Sequence, residues 1–438
     1  MTGKEKIFFK KKILIYGLGK TGISSFLFLK KNNDVYLFDD NKKVLRKQNH
    51  NFSINYKNVI KNFFDYILVS PGININQCVL KNFIKKNLKK IITDLDVFYS
   101  HYQNNVNISI TGTNGKSTTA KILFEVLKNQ KKDVRLVGNI GSAILNEKDI
   151  SAKTIFVIEA SSYQIEYSKI FKANYALILN ISPDHLERHK TIHNYVRSKF
   201  KLVKNQTNKD YAFLDIKNKY LKKLIKKNKL NSKIINVNEK LFTKDLYKIK
   251  NPYFLTSGNK ENLCFVFSIS NKLKLKKNYL IKTINKFKGL NFRQQIIYNS
   301  KKLTVINDSK ATSFSSSANI LKSLNKVYWL VGGIPKSGDK FFLTKKQCFN
   351  FKAYIYGKNK NYFVKQLKNK LRCEYFDKLQ SALKKIIFDI KSEKIKLHST
   401  ILFSPSAASF DSYKNFEDRG KKFNELFKNI NLKKLIYV

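Results

Sequence analysis

Cysteine is scarce in this sequence, and long hydrophobic runs are missing. The four cysteines among 438 residues lie far apart and form no C-x-x-C pair, so we expect reduced, half-buried thiols. No apolar run approaches the ~20 residues that a membrane-spanning helix needs. The N-terminal stretch MTGKEKIFFKKK interrupts its apolar residues with charge and has no small-residue cleavage site, unlike a secretory signal peptide. These absences predict a soluble, cytoplasmic protein with no membrane partner.

Acidic residues are also few. The chain has 30 Asp and Glu against 86 Lys and Arg, which gives a formal net charge of +56. Nucleic-acid binding requires such charge to be clustered. Here the lysines are spread along the whole chain, together with many Asn, Ile, Phe and Tyr, whose codons are likewise rich in A and T. Compositional drift explains this combination, so we expect no nucleic-acid partner, and the positive field favours small anionic substrates.

What the sequence does contain is enough apolar material for a large folded protein. Apolar residues make up 42% of the chain, with 34 Phe and 23 Tyr, so a sizeable packed core is expected. The length allows about three domains at ~150 residues each. Strand patterns alternate with helical patterns in three successive blocks, which predicts an α/β fold. We place the three domains at residues 1–101, 102–288 and 289–438.

The first block begins with a strand, a tight turn, a helix and a strand, in KILIYGLGKTGISSFLFLKKNNDVYLFDD. Gly17, Gly19 and Gly22 follow the first strand directly in a G-x-G-x-x-G pattern, and the unit ends at Asp39. In this context the pattern is typical of a Rossmann-like dinucleotide site, as for NAD, with a turn of chance glycines as the alternative. YILVSPG (66–72) adds another strand that ends in a Pro-Gly turn.

The second block carries a shortened phosphate loop, TGTNGKSTT (111–119), between a buried strand and an apolar helix. The common nucleotide loop has four residues between its glycines, whereas this one has two. Backbone N–H groups of a glycine-rich turn before a helix form a cradle for anions. Lys116 adds a positive charge for the β- and γ-phosphates, and the Ser117 hydroxyl can ligate Mg²⁺. A triphosphate site is therefore predicted, with a capped helix after a turn as the alternative.

Two further strands of this block, TIFVIEAS and YALILNIS, also end in polar residues. Ligands of open parallel sheets bind at the carboxyl ends of the strands. We therefore expect Glu159 and the Asp184-His185 pair in the same crevice as Ser117. Glu159 suits a magnesium ion there, and a neutral His185 can ligate a metal, although a strand-end acid and a helix cap are the plain alternatives.

Two other polar stretches of this block are assigned no function. His189 and His193 have i, i+4 spacing on a predicted helix and are interpreted as surface residues. Residues 217–250 are rich in Lys and Asn with weak patterning, which indicates exposed helix and loop.

The third block contains four strand patterns, in LTVINDSKAT, VYWLVGG, AYIYG and ILFSPSAASFD, with helical stretches between them. In NDSKAT, Asp308, Lys310 and Thr312 alternate, which predicts that they lie on one side of an extended segment. An acid, an amine and a hydroxyl on one face would suit a polar ligand, with ordinary solvent-exposed residues as the alternative.

Seven motifs occur in order over nearly the entire chain: TGTNGKS, EASSYQ, NISPDH, FKGLNFR, NDSKAT, GGIPKSGD and SPSAASFDSYKNFEDRG. Together they resemble the Mur ligase family of peptidoglycan synthesis, whose ATP loop resembles G-T-N-G-K-[ST]. The resemblance implies a Rossmann-like UDP-binding domain, a central P-loop-like ATPase domain and a C-terminal Rossmann-like domain. It also implies a monomer that adds D-glutamate to UDP-N-acetylmuramoyl-L-alanine with ATP, through an acyl phosphate, and closes its domains on binding.

The resemblance assigns roles around the ATP loop. Lys116, Glu159, His185 and Lys199 would be catalytic, and Lys199 would carry a carbamate. Two magnesium ions would be held by Ser117, Glu159, His185 and the modified Lys199. The residues that would bind ATP are Gly112, Thr113, Asn114, Gly115, Lys116, Ser117, Thr118, Asn259, Asn262, Arg293 and Asp308.

The resemblance also assigns the other two substrates, and it replaces NAD by UDP at the first glycine-rich loop. The residues that would contact the UDP-linked substrate are Gly19, Lys20, Thr21, Asp39, Ser70, Pro71, Gly72, Asn139, Ser161 and Gln164. The residues that would surround D-glutamate are Lys310, Thr312, Lys336, Ser409 and Phe416.

Two positions depart from the family pattern. Phe292 stands where the family usually has a His before Arg293, which puts one ATP contact in doubt, and Gly258 stands where a His often precedes the Asn pair. Three alternatives stay open: a sister ligase with another specificity such as L-glutamate, a folylpolyglutamate synthase, and a basic nucleotide-binding protein without ligase activity. The glycine-rich first block argues against the folate enzyme, and joint retention of Glu159, His185 and Lys199 argues against mere nucleotide binding.

Overall fold

Three β-sheets follow one another along the chain, each flanked by helices. The structure is a computed structural model that describes residues 7–46, 50–254, 256–336, 338–392 and 398–430. The predicted α/β class with three sheet-containing parts is confirmed.

The first sheet has four parallel strands in the order β2-β1-β3-β4. Its inner strands are apolar on both faces, as expected for a parallel sheet that helices cover on both sides. The strands are β1 (Lys12–Tyr16), β2 (Asp34–Phe38), β3 (Tyr66–Val69) and β4 (Ile91–Ile92). The helices are α1 (Lys20–Leu29), α2 (Lys42–Arg46), α3 (Tyr56–Lys61), α4 (Lys81–Lys86) and α5 (Asp94–Tyr102), with 3₁₀ turns at His50–Phe52 and Leu88–Lys90.

The central sheet has six parallel strands in the order β10-β9-β8-β5-β7-β6. The strands are β5 (Asn107–Thr111), β6 (Val134–Gly138), β7 (Ile155–Glu159), β8 (Tyr175–Ile178), β9 (Tyr211–Leu214) and β10 (Lys233–Asn236). The helices are α6 (Lys116–Asn129), α7 (Ser162–Tyr167), α8 (Leu186–His189), α9 (Ile192–Lys204), α10 (Lys219–Lys227), α11 (Thr243–Leu246), α12 (Ser257–Lys272) and α13 (Lys277–Lys286), with 3₁₀ turns at Glu239–Phe242 and Pro252–Phe254.

The third sheet has six strands in the order β11-β12-β16-β13-β14-β15, and only the edge pair β11-β12 is antiparallel. The strands are β11 (Gln295–Asn299), β12 (Leu303–Asn307), β13 (Val327–Gly332), β14 (Phe351–Tyr356), β15 (Arg372–Phe376) and β16 (Ser399–Phe403). The helices are α14 (Phe314–Leu321), α15 (Lys360–Leu367), α16 (Leu379–Ser392) and α17 (Phe416–Lys428), with a 3₁₀ turn at Lys346–Cys348.

The chain divides into two compact units. One comprises Met1–Lys248 and Glu261–Ile284, and the other comprises Ile249–Lys260 and Asn285–Val438. The first two sheets lie in the first unit and share one apolar core, in which the Phe98 and Phe156 rings meet edge to face at 4.8 Å. Aromatic pairs of this geometry add stabilisation beyond their buried area. The domain borders at 101 and 288 stay a prediction.

Three local expectations are wrong. Residues 217–250 contain strand β10, which lengthens the central sheet at its edge. NDSKAT is not extended beyond Asn307, because Asp308–Ala311 forms a turn closed by an N–H···O bond of 2.9 Å. His189 is buried at 3% exposure, whereas His193 is exposed as expected, and the two histidines lie on separate helices.

The remaining expectations from composition can be stated briefly. All four cysteines are free thiols, two buried and two half-buried. Among the residues that the structure describes, no helix has the length and hydropathy that crossing a bilayer requires.

Candidate functional site

The shortened phosphate loop connects β5 to α6. Gly115 begins the helix with φ 82°, a left-handed conformation that favours glycine. The Asn262 amide packs against it so closely that a Cβ at position 115 would lie 2.0 Å from Oδ1. Asn180 pins the other side, since its Oδ1 accepts the Asn114 N–H at 2.8 Å. The loop is therefore held from both sides, and the structure places Asn262 against it.

The charged groups of the loop engage the carboxyl ends of neighbouring strands. Lys116 Nζ donates to the carbonyls of Gly112 at 2.8 Å and Thr113 at 2.7 Å. The Ser117 hydroxyl donates to Glu159 Oε2 at 2.6 Å, and both side chains are buried. Because β5 and β7 are parallel neighbours, the loop after one strand meets the last residue of the other.

Lys199 reaches the same place from α9. Its Nζ donates to the Gly112 carbonyl at 2.8 Å and lies 4.7 Å from the centre of the Tyr195 ring. The side chain is fully buried, and burial together with the positive charge of Lys116 lowers the pKa of Lys199 well below its usual range. The negative charges of Asp184 and Glu159 oppose this shift only in part. Both effects favour the neutral amine of Lys199 over its charged form.

His185 lies at the start of α8 with φ 55°. Its ring nitrogens face two carboxylates, at 3.4 Å from Asp184 and 3.5 Å from Glu187. The ring packs edge to face with Tyr163 at 5.2 Å and lies 6.3 Å from Tyr195, the residue beneath Lys199. His185 and Lys199 therefore border the same aromatic side chain.

The donor set around Ser117 fits a hard cation only in part. Magnesium prefers oxygen ligands, and the hydroxyl of Ser117 and the carboxylate of Glu159 provide two. Among the described residues, no group of three or more His, Cys, Asp and Glu side chains is gathered as for a metal site. The unmodified amine of Lys199 supplies no oxygen, so a conversion to an anionic oxygen ligand would improve the fit.

The first glycine-rich loop connects β1 to α1. The Asp39 carboxylate accepts the N–H of Leu18 at 2.7 Å, and the Ser70 hydroxyl donates to the Gly17 carbonyl at 2.6 Å. Gly22 allows the helix to approach the loop, because a Cβ there would lie 1.9 Å from the Gly17 carbonyl oxygen. Asp39 and the turn after β3 therefore lie at this loop. Gly19 and Lys20 are exposed beside it, and Thr21 is half-buried.

Ser161 and Gln164 start α7 as a reciprocal capping box. The Gln164 amide nitrogen also donates to Asp94, at 3.0 and 3.1 Å from the two carboxylate oxygens. Burial raises the pKa of Asp94 to about 6. Asn139, the third predicted contact of the muramoyl part, instead donates to Glu159 Oε1 at 3.1 Å. Gln164 and Asn139 are thus each held by an acid, and Ser161 is held by Gln164.

The third sheet carries the remaining ATP candidates. Asp308 is buried, and burial raises its pKa to about 7, although the Ser404 hydroxyl donates to it at 2.9 Å. Arg293 lies near enough to lower that pKa, in the direction opposite to burial. Asn259 donates to the Gln294 side chain at 3.0 Å, and the Gln294 N–H donates to Asp308 at 3.1 Å. These residues form one connected group.

Four of the glutamate candidates lie on loops at the carboxyl ends of β12, β13 and β16, and the fifth, Phe416, begins α17. Lys310 lies 3.9 Å from the centre of the Phe416 ring, a cation–π contact. The loop of Thr312 joins the loop of Lys336, because Asp339 accepts the Phe314 N–H at 2.7 Å. The loops after β13 and β16 pair through an antiparallel bridge between Ile334 and Ala408. Ser409 directly follows Ala408 and is buried.

Phe292, one of the two departures from the family pattern, is buried with φ 62°. Its ring fills the space in front of Gly420, where a Cβ would lie 2.3 Å from a ring carbon. The Phe292 carbonyl accepts the Lys310 N–H at 2.9 Å. An apolar ring is therefore well accommodated here, and the backbone of this position supports Lys310.

Two side chains that the sequence reasoning missed hold the candidate residues in place. Asp94 anchors Gln164, and Gln294 connects Asn259 to Asp308. The sequence TDLD contains a signal, because Thr93 and Asp96 form a capping box that marks the start of α5 directly before Asp94. Gln294 has no such signal.

The chain is similar in sequence to a protein-family model and to curated ligases. The family model for the Mur ligase middle domain matches residues 110–286. The UDP-N-acetylmuramoylalanine--D-glutamate ligase of Rickettsia prowazekii (strain Madrid E) is 34% identical, over 96% of this chain and 98% of that protein. The enzyme of the same name from Francisella tularensis subsp. novicida (strain U112) is 32% identical, over 95% of each chain.

Solved structures share the fold at low identity. MurF ligase from Thermotoga maritima, solved in complex with ADP, has a TM-score of 0.59 at 14% identity and covers 97% of both chains. UDP-N-acetylmuramate-alanine ligase MurC from the same organism has a TM-score of 0.53 at 17% identity, over 95% of this chain and 99% of that one. Because the Rickettsia and Francisella ligases are 34% and 32% identical to it over nearly its whole length, the chain belongs to the Mur ligase family.

Proposed function

We propose that this chain is an ATP-dependent amide ligase that adds D-glutamate to UDP-N-acetylmuramoyl-L-alanine in peptidoglycan precursor synthesis. The relatives that share about a third of its residues over nearly its full length bear the name of that reaction. The observation that carries the proposal is the cluster at the shortened loop, where Ser117 bonds Glu159 and Lys199 bonds the loop backbone. Transfer of a phosphoryl group from a triphosphate to a carboxylate needs such a concentration of charged groups.

The first step is transfer of a phosphoryl group. A carboxylate oxygen of the L-alanyl group attacks the γ-phosphorus of ATP. The bond between that phosphorus and the β-phosphate oxygen breaks, which gives ADP and an acyl phosphate. Charge spreads over the transferring group during this step, and fixed positive groups stabilise it. Lys116 is the residue of this chain that supplies such a charge, and the N–H groups of the loop and of α6 hold the phosphates.

The second step forms the amide. The amine of D-glutamate attacks the activated carbonyl carbon, a tetrahedral intermediate forms, and inorganic phosphate leaves as the amine loses its proton. The protein's contribution is mainly to place the reactants, which can account for several kcal/mol of the barrier. We assign glutamate binding to the cationic and hydroxyl side chains of three loops, together with one aromatic ring: Lys310, Thr312, Lys336, Ser409 and Phe416.

Magnesium and a carbamate on Lys199 belong to the proposal. Bound magnesium neutralises phosphate charge, and Ser117, Glu159 and His185 would hold it together with a modified Lys199. The neutral amine of Lys199 adds to the carbon of CO₂ and releases a proton, which leaves an anionic carbamate. Equilibration of the protein with ¹³CO₂ should give a carbamate resonance in the ¹³C NMR spectrum that is absent from Lys199→Met. Equal signals from both proteins would contradict the modification.

The UDP-linked substrate is assigned to the first glycine-rich loop and the turn after β3. Gly19, Lys20, Thr21 and Asp39 would contact the nucleotide, with Ser70, Pro71 and Gly72, while Asn139, Ser161 and Gln164 would face the muramoyl part. We further propose a cytoplasmic monomer with domain borders at residues 101 and 288. Sedimentation velocity at several concentrations tests the monomer, since a mass that grows with concentration would contradict it.

The decisive experiment measures phosphate release from ATP in the presence of UDP-N-acetylmuramoyl-L-alanine. Wild type should release phosphate when D-glutamate is added, and neither L-glutamate nor buffer alone should replace it. Release with L-glutamate alone would keep the fold and the chemistry and change the specificity. No release with any amino acid would contradict the ligase function, and salt-sensitive DNA binding in a gel shift would then favour the basic nucleotide-binding alternative.

A further inference from the structure

Arg188, which has no role in the proposed reaction, connects the central sheet to the turn after β3. It lies on α8, three residues after His185. Its Nη1 donates to the Pro71 carbonyl at 2.5 Å, and its Nη2 donates to the Ile73 carbonyl at 2.7 Å. A guanidinium presents two N–H groups in a planar fork, so it can bind two carbonyls of one turn at once.

The Arg188 side chain is held in this orientation by its surroundings. Its guanidinium carbon lies 3.8 Å from the centre of the Tyr163 ring, which stacks the charge on an aromatic face. The Nε–H is buried and has no hydrogen-bond partner within the described residues. Of the three N–H-bearing nitrogens, the two at the tip therefore carry the contact, and both are directed at the turn.

The turn itself, residues 70–73, is hydrogen-bonded to the first sheet through Ser70, and the Ile73 side chain packs against that sheet's apolar core. The Ser70 N–H donates to the Tyr16 carbonyl at 2.9 Å, and the Ser70 hydroxyl donates to the Gly17 carbonyl at 2.6 Å. The Ile73 N–H closes the turn onto the Ser70 carbonyl at 3.0 Å. Arg188 therefore fixes the far side, which the first sheet does not hold through these bonds.

Fixing two carbonyls also fixes two N–H groups. The described chain has no cis peptide bond, so each carbonyl points opposite to the N–H of the following residue. With the Pro71 and Ile73 carbonyls turned toward Arg188, the N–H groups of Gly72 and Asn74 point to the other side of the turn. Two N–H groups on the same side of a turn are suited to an anion.

We propose that Arg188 is a positioning residue for the UDP-linked substrate: by binding the carbonyls of residues 71 and 73, it presents the turn after β3 to the diphosphate. The inference rests on the proposed function, which places the UDP group at this turn. Arg188 and His185 lie within one turn at α8. This short helix therefore fixes the position of the turn after β3 relative to a candidate catalytic residue.

Three variants test the role of Arg188. Arg188→Met removes both donors and keeps much of the length, whereas Arg188→Lys keeps the charge with a single donor group. Lys169→Met is the matched control, because Lys169 Nζ also reaches from the central part to backbone carbonyls of the first, those of Leu88 and Lys89, but at a distance in sequence from the turn. Urea unfolding of each variant checks that it is folded.

The expected result separates one substrate from the others. Arg188→Met should raise the KM for UDP-N-acetylmuramoyl-L-alanine about 10–100-fold, as for loss of hydrogen bonds from a charged donor. The KM for ATP and for D-glutamate should stay within about twofold, and kcat should fall far less than the KM rises. Arg188→Lys should recover part of the affinity, and Lys169→Met should resemble wild type.

Calorimetric titration with UDP decides the inference independently of activity. Weaker UDP binding by Arg188→Met, with unchanged binding by Lys169→Met, supports the positioning role even if the wild type proves inactive as a ligase. Equal UDP affinity of Arg188→Met and wild type, or equal losses in both methionine variants, would overturn it. Absence of UDP binding by the wild type would overturn it as well. An active wild type with an unaffected Arg188→Met would refute this inference and leave the proposed function intact.

Discussion

Two loops of this protein carry a similar core, Gly-Lys followed by a hydroxyl residue, at the same kind of junction. Gly19-Lys20-Thr21 lies between β1 and α1, and Gly115-Lys116-Ser117 lies between β5 and α6. In the first loop the lysine is exposed, and the Asp39 carboxylate accepts a backbone N–H of the loop. In the second loop the lysine folds onto two loop carbonyls, and the hydroxyl is buried against Glu159.

The difference shows that the side chains in contact with a glycine-rich loop determine its chemistry more than the loop's own residues do. An acid that binds loop N–H groups shapes the backbone and suits a ligand of fixed geometry such as a nucleoside. An acid that faces a hydroxyl and a lysine builds a polar, low-dielectric site where charge is strongly stabilised. We therefore expect the first loop to bind and the second to react.

The largest expected contrast is between the two lysines. Lys116→Ala should lower D-glutamate-dependent phosphate release about 10²–10³-fold, because a preorganised positive group is lost where charge develops. Lys20→Ala should lower it by less than about tenfold, since an exposed charge is screened by water and salt. Initial rates at saturating substrates give both numbers.

The pair serves as its own control, because each variant removes a lysine from a glycine-lysine-hydroxyl core. Similar losses in both variants would remove the distinction between a binding loop and a reacting loop. Loss of folding is checked by urea unfolding, where neither variant should change the free energy of unfolding by more than about 1 kcal/mol.

Asp94 of α5 bonds Gln164 of α7 between the first and central sheets, so a change of its charge should affect both loops alike. Burial raises the pKa of Asp94 from 3.8 to about 6, so the folded state binds this proton more tightly than the unfolded state. The free energy of unfolding should therefore fall as pH rises from about 4 to about 6 and stay lower above that range, by about 3 kcal/mol.

Asp94→Asn should lack this decline, because the amide does not titrate while its oxygen can still accept a bond from Gln164. Urea unfolding of both proteins between pH 4 and 8 measures the difference, and the KM values for ATP and the UDP-linked substrate should change by similar factors. Parallel pH curves for the two proteins would contradict the assignment of the decline to Asp94.

The sequence predicted the sheets best where strands are buried along their whole length. ILIY, NISIT and VYWLVGG become β1, β5 and β13, whose side chains are buried on both faces. Strand β10 was not predicted, because KIIN lies at the edge of its sheet, is only partly buried and has no long apolar run. Edge strands carry little of the hydrophobic signal on which such a prediction depends.

The sequence motifs located candidate residues, but the spacing of residues did not predict the local backbone geometry around them. The i, i+4 spacing of His189 and His193 assumed one helix, but Lys190 with φ 67° breaks it and turns His189 inward against Ser162. Likewise the alternation in NDSKAT assumed an extended chain where a turn follows Asn307. Periodicity holds only within a regular element, and side-chain partners such as Asp94 and Gln294 depend on tertiary packing.

The two glycines before the lysines give the next contrast. Gly115→Ala forces a Cβ into a left-handed conformation at φ 82° and within 2.0 Å of the Asn262 amide. It should lower the free energy of unfolding by about 1–2 kcal/mol and raise the KM for ATP. Gly19→Ala meets no atom within 4 Å at φ −71°, so its effect should stay within about 0.5 kcal/mol. Equal destabilisation in urea would contradict the difference in backbone strain.

The smallest effect is expected at the acid of the first loop. Asp39→Asn replaces a charged acceptor of the Leu18 N–H by a neutral one, so the hydrogen bond persists and weakens by about 1 kcal/mol. The KM for UDP-N-acetylmuramoyl-L-alanine should rise a few-fold, about fivefold at most for that energy. The KM for ATP and kcat should not change, because Asp39 shapes a binding loop remote in role from phosphoryl transfer. A fall in kcat with an unchanged KM for the UDP-linked substrate would instead make the first loop part of the reacting site and break the distinction between the two loops.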